Sequence, residues 1–207
     1  MLSSRLNHPN TVIIYDFGVT DVGALYLAME LIAGKSLDEE LNRVGVMDFE
    51  RTRHIALQVC DSLHDAHLST IVHRDLKPDN VMLTRIGTRG DVVKVLDFGI
   101  AKILDPNASE RTSHLTAPNE VFGTPEYMAP EQISANPMDS RTDIYALGVM
   151  LFRMLSGALP YTGDSPVAIL AKHLGEPIPL LSAAAHGIEL PDGLSELVAS
   201  MLAKNPN

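Results

Sequence analysis

One stretch constrains this chain more than any other: the octapeptide His73-Arg74-Asp75-Leu76-Lys77-Pro78-Asp79-Asn80, followed in order by Asp97-Phe98-Gly99 and Ala129-Pro130-Glu131. With about 20 residue types open to each position, three such strings in this order do not arise by chance. They are crowded with charged and polar groups, while short β-rich runs surround them at Ile71-Val72, Val81-Met82-Leu83 and Val93-Lys94-Val95-Leu96. The pattern predicts small strands that hold polar loops.

Around that centre the periodicity is mostly helical. Ile55, Val59, Leu63 and Ala66 recur at near-helical spacing, with Asp48 as a cap and Glu50 in the first turn. The longest apolar stretch, Tyr145 to Tyr161, is broken by Arg153 and ended by Gly157 and Pro160. It falls short of the ~20 uninterrupted residues of a membrane span and predicts a central buried helix. Near the start, Val12-Ile13-Ile14-Tyr15 and Leu25-Tyr26-Leu27-Ala28-Met29 flank Thr20-Asp21-Val22-Gly23, which predicts an antiparallel hairpin.

The three motifs resemble those of the eukaryotic-like, bacterial-type Ser/Thr protein kinases. The resemblance runs from Leu6 to the last residue and begins in the middle of that family's domain. It implies an α+β fold: a mostly helical C-terminal lobe over residues 33–207, carrying catalytic loop, activation segment and helical core, after a two-stranded N-lobe remnant and hinge over residues 1–32. The implied reaction moves the γ-phosphoryl group of ATP to a protein Ser or Thr hydroxyl, which asks mainly for alignment and charge compensation.

The same resemblance assigns the parts. Asp75 would orient the incoming hydroxyl and accept its proton, and Lys77 would meet the transferring phosphate. Asn80 and Asp97 would hold Mg2+, an ion that prefers oxygen ligands. Thr124, in the docking segment Gly123 to Glu131, would bridge Asp75 and Lys77, which supports Ser/Thr specificity. Met29 would back the adenine pocket, Glu30 and Ile32 would offer hinge backbone groups, and Met82 would floor it. Phe98 would pack on His73, with Gly99 giving backbone freedom beside the metal. Asp143 would accept backbone N–H groups of the His73-Arg74 turn, and Glu131 would pair with an arginine. Arg74 would receive a phosphorylated Thr112, Ser113 or Thr116 in the segment that follows.

Composition sets the outer bounds. A net charge of -10 over 207 residues, 45% of them hydrophobic, suits one sizeable core and disfavours nucleic-acid phosphates or anionic lipid as partners. The single cysteine, Cys60, cannot form an internal disulfide and reads as a buried structural thiol. With no secretory signal, the expected compartment is the cytoplasm. His64 and His67 could share a helix face as metal ligands, but without a Cys partner at ligand spacing a surface or capping role is the expectation.

Two parts by which family members grip ATP are absent from the sequence: the Gly-x-Gly-x-x-Gly loop and the strand lysine. The glutamate that pairs with that lysine would fall before Met1, and Asn205-Pro206-Asn207 resembles the segment just before the arginine that pairs with Glu131's position. The expectation is therefore a catalytic domain truncated at both ends, with impaired activity, poor solubility and Glu131 lacking its partner, as in a partial gene, a fragmentary gene model or a decayed copy. The alternative is a non-catalytic binding or scaffold module whose partner is another kinase chain. A small-molecule phosphotransferase of related fold fits the docking segment less well.

Overall fold

The computed structural model of the chain describes residues 6–85, 90–98, 124–185, 187 and 189–205. The hairpin forms from β1 (Ile14–Val19) and β2 (Leu25–Met29), paired antiparallel. β1 starts two residues later than the sequence predicts because Val12 belongs elsewhere: its N–H donates to the Val95 carbonyl at 2.9 Å and its side chain is buried. A second sheet has the order β3 (Lys35–Ser36), β4 (Val81–Arg85), β5 (Asp91–Val95), again antiparallel. Ile71-Val72 is not a strand. The Ile71 N–H instead closes the end of the preceding helix on the Ala66 carbonyl at 2.9 Å, so no ladder partner is reached.

The first two helices begin where side chains satisfy their first N–H groups. At α1 (Leu37–Val44), the Ser36 hydroxyl accepts from Glu39 N while the Glu39 carboxylate accepts from Ser36 N, a reciprocal cap. At α2 (Phe49–Leu68), Asp48 caps as predicted, accepting from Arg51 N at 2.9 Å. The predicted stripe Ile55, Val59, Leu63 and Ala66 is buried. Cys60 is exposed, contrary to expectation, because it lies about 100° round the helix from Val59. Partial burial, with the neighbouring Asp61, raises its thiol pKa, which favours the protonated form.

After the short α3 (Pro130–Ile133) comes α4 (Ser140–Ser156), the predicted central helix. Val149, Met150, Leu155, Phe152 and Met154 on it are buried, and it packs on α2 and on α7 (Leu194–Met201). Gly148 allows the second contact: a Cβ there would lie 2.8 Å from the Met201 Cβ. α5 (Pro166–Gly175) and α6 (Leu181–Ala184) complete the helical layer. Arg153, the charge that interrupts the apolar stretch, ties α4 to α1 through Asp38 at 2.7 Å and to the docking segment through the Tyr127 hydroxyl at 2.9 Å. Among the described residues, no helix is long and apolar enough to cross a membrane.

A charge cluster fastens α1 and α2 to the second sheet. Glu40 is buried and accepts from Arg43 at 2.8 Å, from Lys35, and from Arg51 at 2.5 Å, while Arg51 also reaches Asp91 at 2.6 Å. Hydrogen bonds from Arg43, with those of Lys35 and Arg51, outweigh burial and hold the Glu40 carboxyl far below the usual range. A folded pKa below the unfolded value near ~4.3 stabilises the fold above that pH, and the gain is lost as pH falls through the folded pKa. Glu40→Gln should therefore cost about 3–5 kcal/mol at neutral pH, a gap that narrows in acid once wild-type Glu40 is protonated. Urea unfolding across pH checks this; a gap independent of pH would contradict it.

Candidate active site

The octapeptide forms a loop between α2 and β4 whose shape depends on one strained residue. Arg74 has φ 69°, a left-handed conformation that costs a side-chain-bearing residue roughly 1–2 kcal/mol. It persists because Asp143, fully buried on α4, accepts from His73 N and Arg74 N, each at 2.9 Å. Both bonds are those the resemblance implied. The Asp143 carboxylate has a third partner, His67 Nε2 at 2.7 Å, so His67 serves this loop rather than the surface or a cap. No spacing in the sequence signals that contact, since the two residues are brought together only by the packing of α2 on α4.

His73 is buried, and burial holds its imidazole below the ordinary value although Asp143, Asp75 and Asp97 oppose the shift. A neutral ring fits its partners: Nε2 donates to the Leu96 carbonyl at 2.8 Å and Nδ1 accepts from Asp75 N at 3.3 Å. Phe98 stacks on it at a tilt, ring centres 4.8 Å apart. Leu96 and Phe98, on either side of Asp97, are thus both anchored to His73. Asp97 itself sits at φ 59°, half-buried.

Asn80 is the hub. Its Nδ2 donates to the Asp75 carbonyl at 2.8 Å and lies 3.3 Å from Asp75 Oδ2, while its own backbone carbonyl accepts from Leu96 N at 2.8 Å. With the amide nitrogen committed to Asp75, Asn80 keeps its side-chain oxygen for a ligand. Lys77 Nζ lies 3.2 Å from Asp75 Oδ2 and donates to the Thr124 hydroxyl at 2.8 Å, so Thr124 reaches Asp75 through Lys77. The Asp75 side chain is 49% exposed, open to an incoming group, against 20% for Lys77.

The segment that follows Thr124 is held from both sides. Tyr127, in the turn Pro125–Tyr127, is buried and bound to Arg153. Gln132 on α3 accepts from Ala129 N at 3.0 Å and donates to the Arg74 carbonyl at 2.8 Å. Glu131 is half-buried and accepts from the Thr142 hydroxyl at 2.7 Å, a neutral donor where the resemblance implied an arginine. Gly99, Thr112, Ser113 and Thr116 lie outside the described residues. Arg74 Nε is buried without a hydrogen-bond partner among the described residues.

Met29 ends β2, and Met82 on β4 pairs with Ser36 and Lys94; both are half-buried, as is Ile32. The Glu30 N–H is spent on the Ile13 carbonyl at 2.9 Å, and its carboxylate accepts from Lys94 Nζ at 2.6 Å and Ile13 N at 2.9 Å. Its carbonyl is therefore the hinge group it can offer a base. Gly34 lets the hinge lie against β4, since a Cβ would fall 2.3 Å from the Leu83 carbonyl oxygen.

The family model described as Protein kinase domain matches residues 1–207. The chain is 42% identical over 204 residues to the serine/threonine-protein kinase pkn3 of Myxococcus xanthus, covering 99% of this chain and 37% of that protein. It is 37% identical over 208 residues to the serine/threonine-protein kinase PknB of Mycobacterium tuberculosis, covering 99% of this chain and 32% of that protein. The chain thus spans about a third of the length of these curated relatives.

Proposed function

Since this chain belongs to the protein kinase domain family, we propose that the full-length protein transfers the γ-phosphoryl group of ATP to Ser or Thr hydroxyls of proteins. The observation that carries the reading is the Asn80 hub, which joins Asp75 on one side to the backbone beside Asp97 on the other.

Asp75 accepts the substrate hydroxyl's proton as its oxygen bonds to the γ-phosphorus and the bond to the ADP oxygen breaks. The ammonium of Lys77 offsets charge on the phosphoryl oxygens, and Thr124 fixes its direction. Asn80 and Asp97 offer hard oxygens that fit Mg2+, which when bound would neutralise phosphate charge. Met29, Ile32, Met82 and the Glu30 carbonyl line the place for the adenine. We assign the domain to the cytoplasm, the compartment that supplies ATP and keeps Cys60 reduced.

Incubating the full-length protein with magnesium, γ-labelled ATP and a basic protein substrate tests the reading. Label is expected on Ser or Thr and not on Tyr. Absence of both transfer and Mg-ATP binding, alongside capture of another kinase chain, would instead support a non-catalytic binding module.

A further inference from the structure

We propose that Gln132 is a positioning residue of the catalytic loop, a latch by which the docking segment sets the peptide plane that carries Asp75. The inference rests on the phosphotransfer reading above. Both ends of Arg74 are pinned: its N–H by Asp143 at 2.9 Å and its carbonyl by Gln132 Nε2 at 2.8 Å. That carbonyl belongs to the peptide unit joining Arg74 to Asp75, whose N–H is held, among the described residues, by the long, 3.3 Å contact to His73 Nδ1. A left-handed residue returns to the right-handed region by rotating its flanking peptides, and the Gln132 bond opposes that rotation directly.

The amide's orientation is fixed by its partners. Ala129 N can only donate and the Arg74 carbonyl can only accept, so Oε1 must face Ala129 and Nε2 must face Arg74. One side chain therefore couples the backbone of the docking segment to the backbone of the catalytic loop. Movement of the backbone at Ala129, whose side chain is buried, is transmitted to the orientation of Asp75 through one planar group.

Gln132→Glu separates this role from helix capping. A glutamate at the third helical position still accepts from Ala129 N, but it has no hydrogen to donate and turns an oxygen toward the Arg74 carbonyl. In the full-length protein, the expected result is a kcat reduced about tenfold with the KM for ATP unchanged and the protein still folded at the assay temperature. Amide hydrogen exchange should accelerate in the peptide covering residues 73–77 and not in α4. Should Gln132→Glu fail to fold, Gln132→Met, close in volume, removes the Ala129 contact as well, and the latch then stands only if kcat falls and exchange accelerates over residues 73–77. Unchanged kcat together with unchanged exchange overturns the latch, as does a loss confined to the KM for ATP. If the wild-type protein transfers no phosphate, the functional reading falls, and exchange alone then decides the latch.

Discussion

Asp75→Asn in the full-length protein is expected to lower kcat by about 10²–10⁴-fold while leaving the fold and the KM for ATP close to wild type. The substitution keeps shape and removes proton affinity. Asn80 holds the Asp75 backbone carbonyl, a contact that the amide retains, so the loop does not depend on the carboxylate for its course. Lys77 loses a 3.2 Å partner whose side chain is half exposed, and such pairs contribute little to stability. Steady-state kinetics with a thermal melt checks both halves. A variant with near wild-type turnover would remove Asp75 from the chemistry, and a variant that melts far below wild type would make its role structural.

Asp143→Ala is expected to destabilise the domain by about 3–5 kcal/mol, a large share of the ~5–15 kcal/mol that holds a domain folded. The carboxylate is wholly buried and serves three donors, the N–H groups of His73 and Arg74 and the imidazole of His67. Its removal strands two backbone N–H groups in the interior, at roughly 1–3 kcal/mol each. It also frees Arg74 to leave the left-handed region, so activity falls even under conditions where the protein stays folded. Asp143→Asn keeps one acceptor oxygen but turns its amide NH2 toward the other N–H, and should lie between the two. Denaturant unfolding measures this order; a loss under about 1 kcal/mol for the alanine variant would show that the loop is held elsewhere.

Much of this site was legible because its residues are close in the chain. Asp75, Lys77 and Asn80 fall within one loop, so their identities and spacing fix their mutual reach almost without help from the rest of the fold. The hairpin was legible through alternation and a turn, and α2 and α4 through their apolar spacing and caps. Where the structure differs, a partner outside the predicted element intervened: Val12 left the hairpin for the distant Val95, and Ile71 closed α2 on Ala66 instead of entering a sheet. Cys60 followed its helix's phase rather than the general burial of thiols.

The amino-acid string alone determined the family and singled out the side chains proposed for the chemistry, because motif order and local spacing survive without a three-dimensional frame. The tertiary structure alone decided what holds those side chains in place. His67 with Asp143, Gln132 with Arg74 and Arg153 with Tyr127 join residues from different helices and loops. Such contacts have no periodicity along the chain; they arise only when the burial of α4 against α2 and the docking turn brings fixed donors and acceptors within reach.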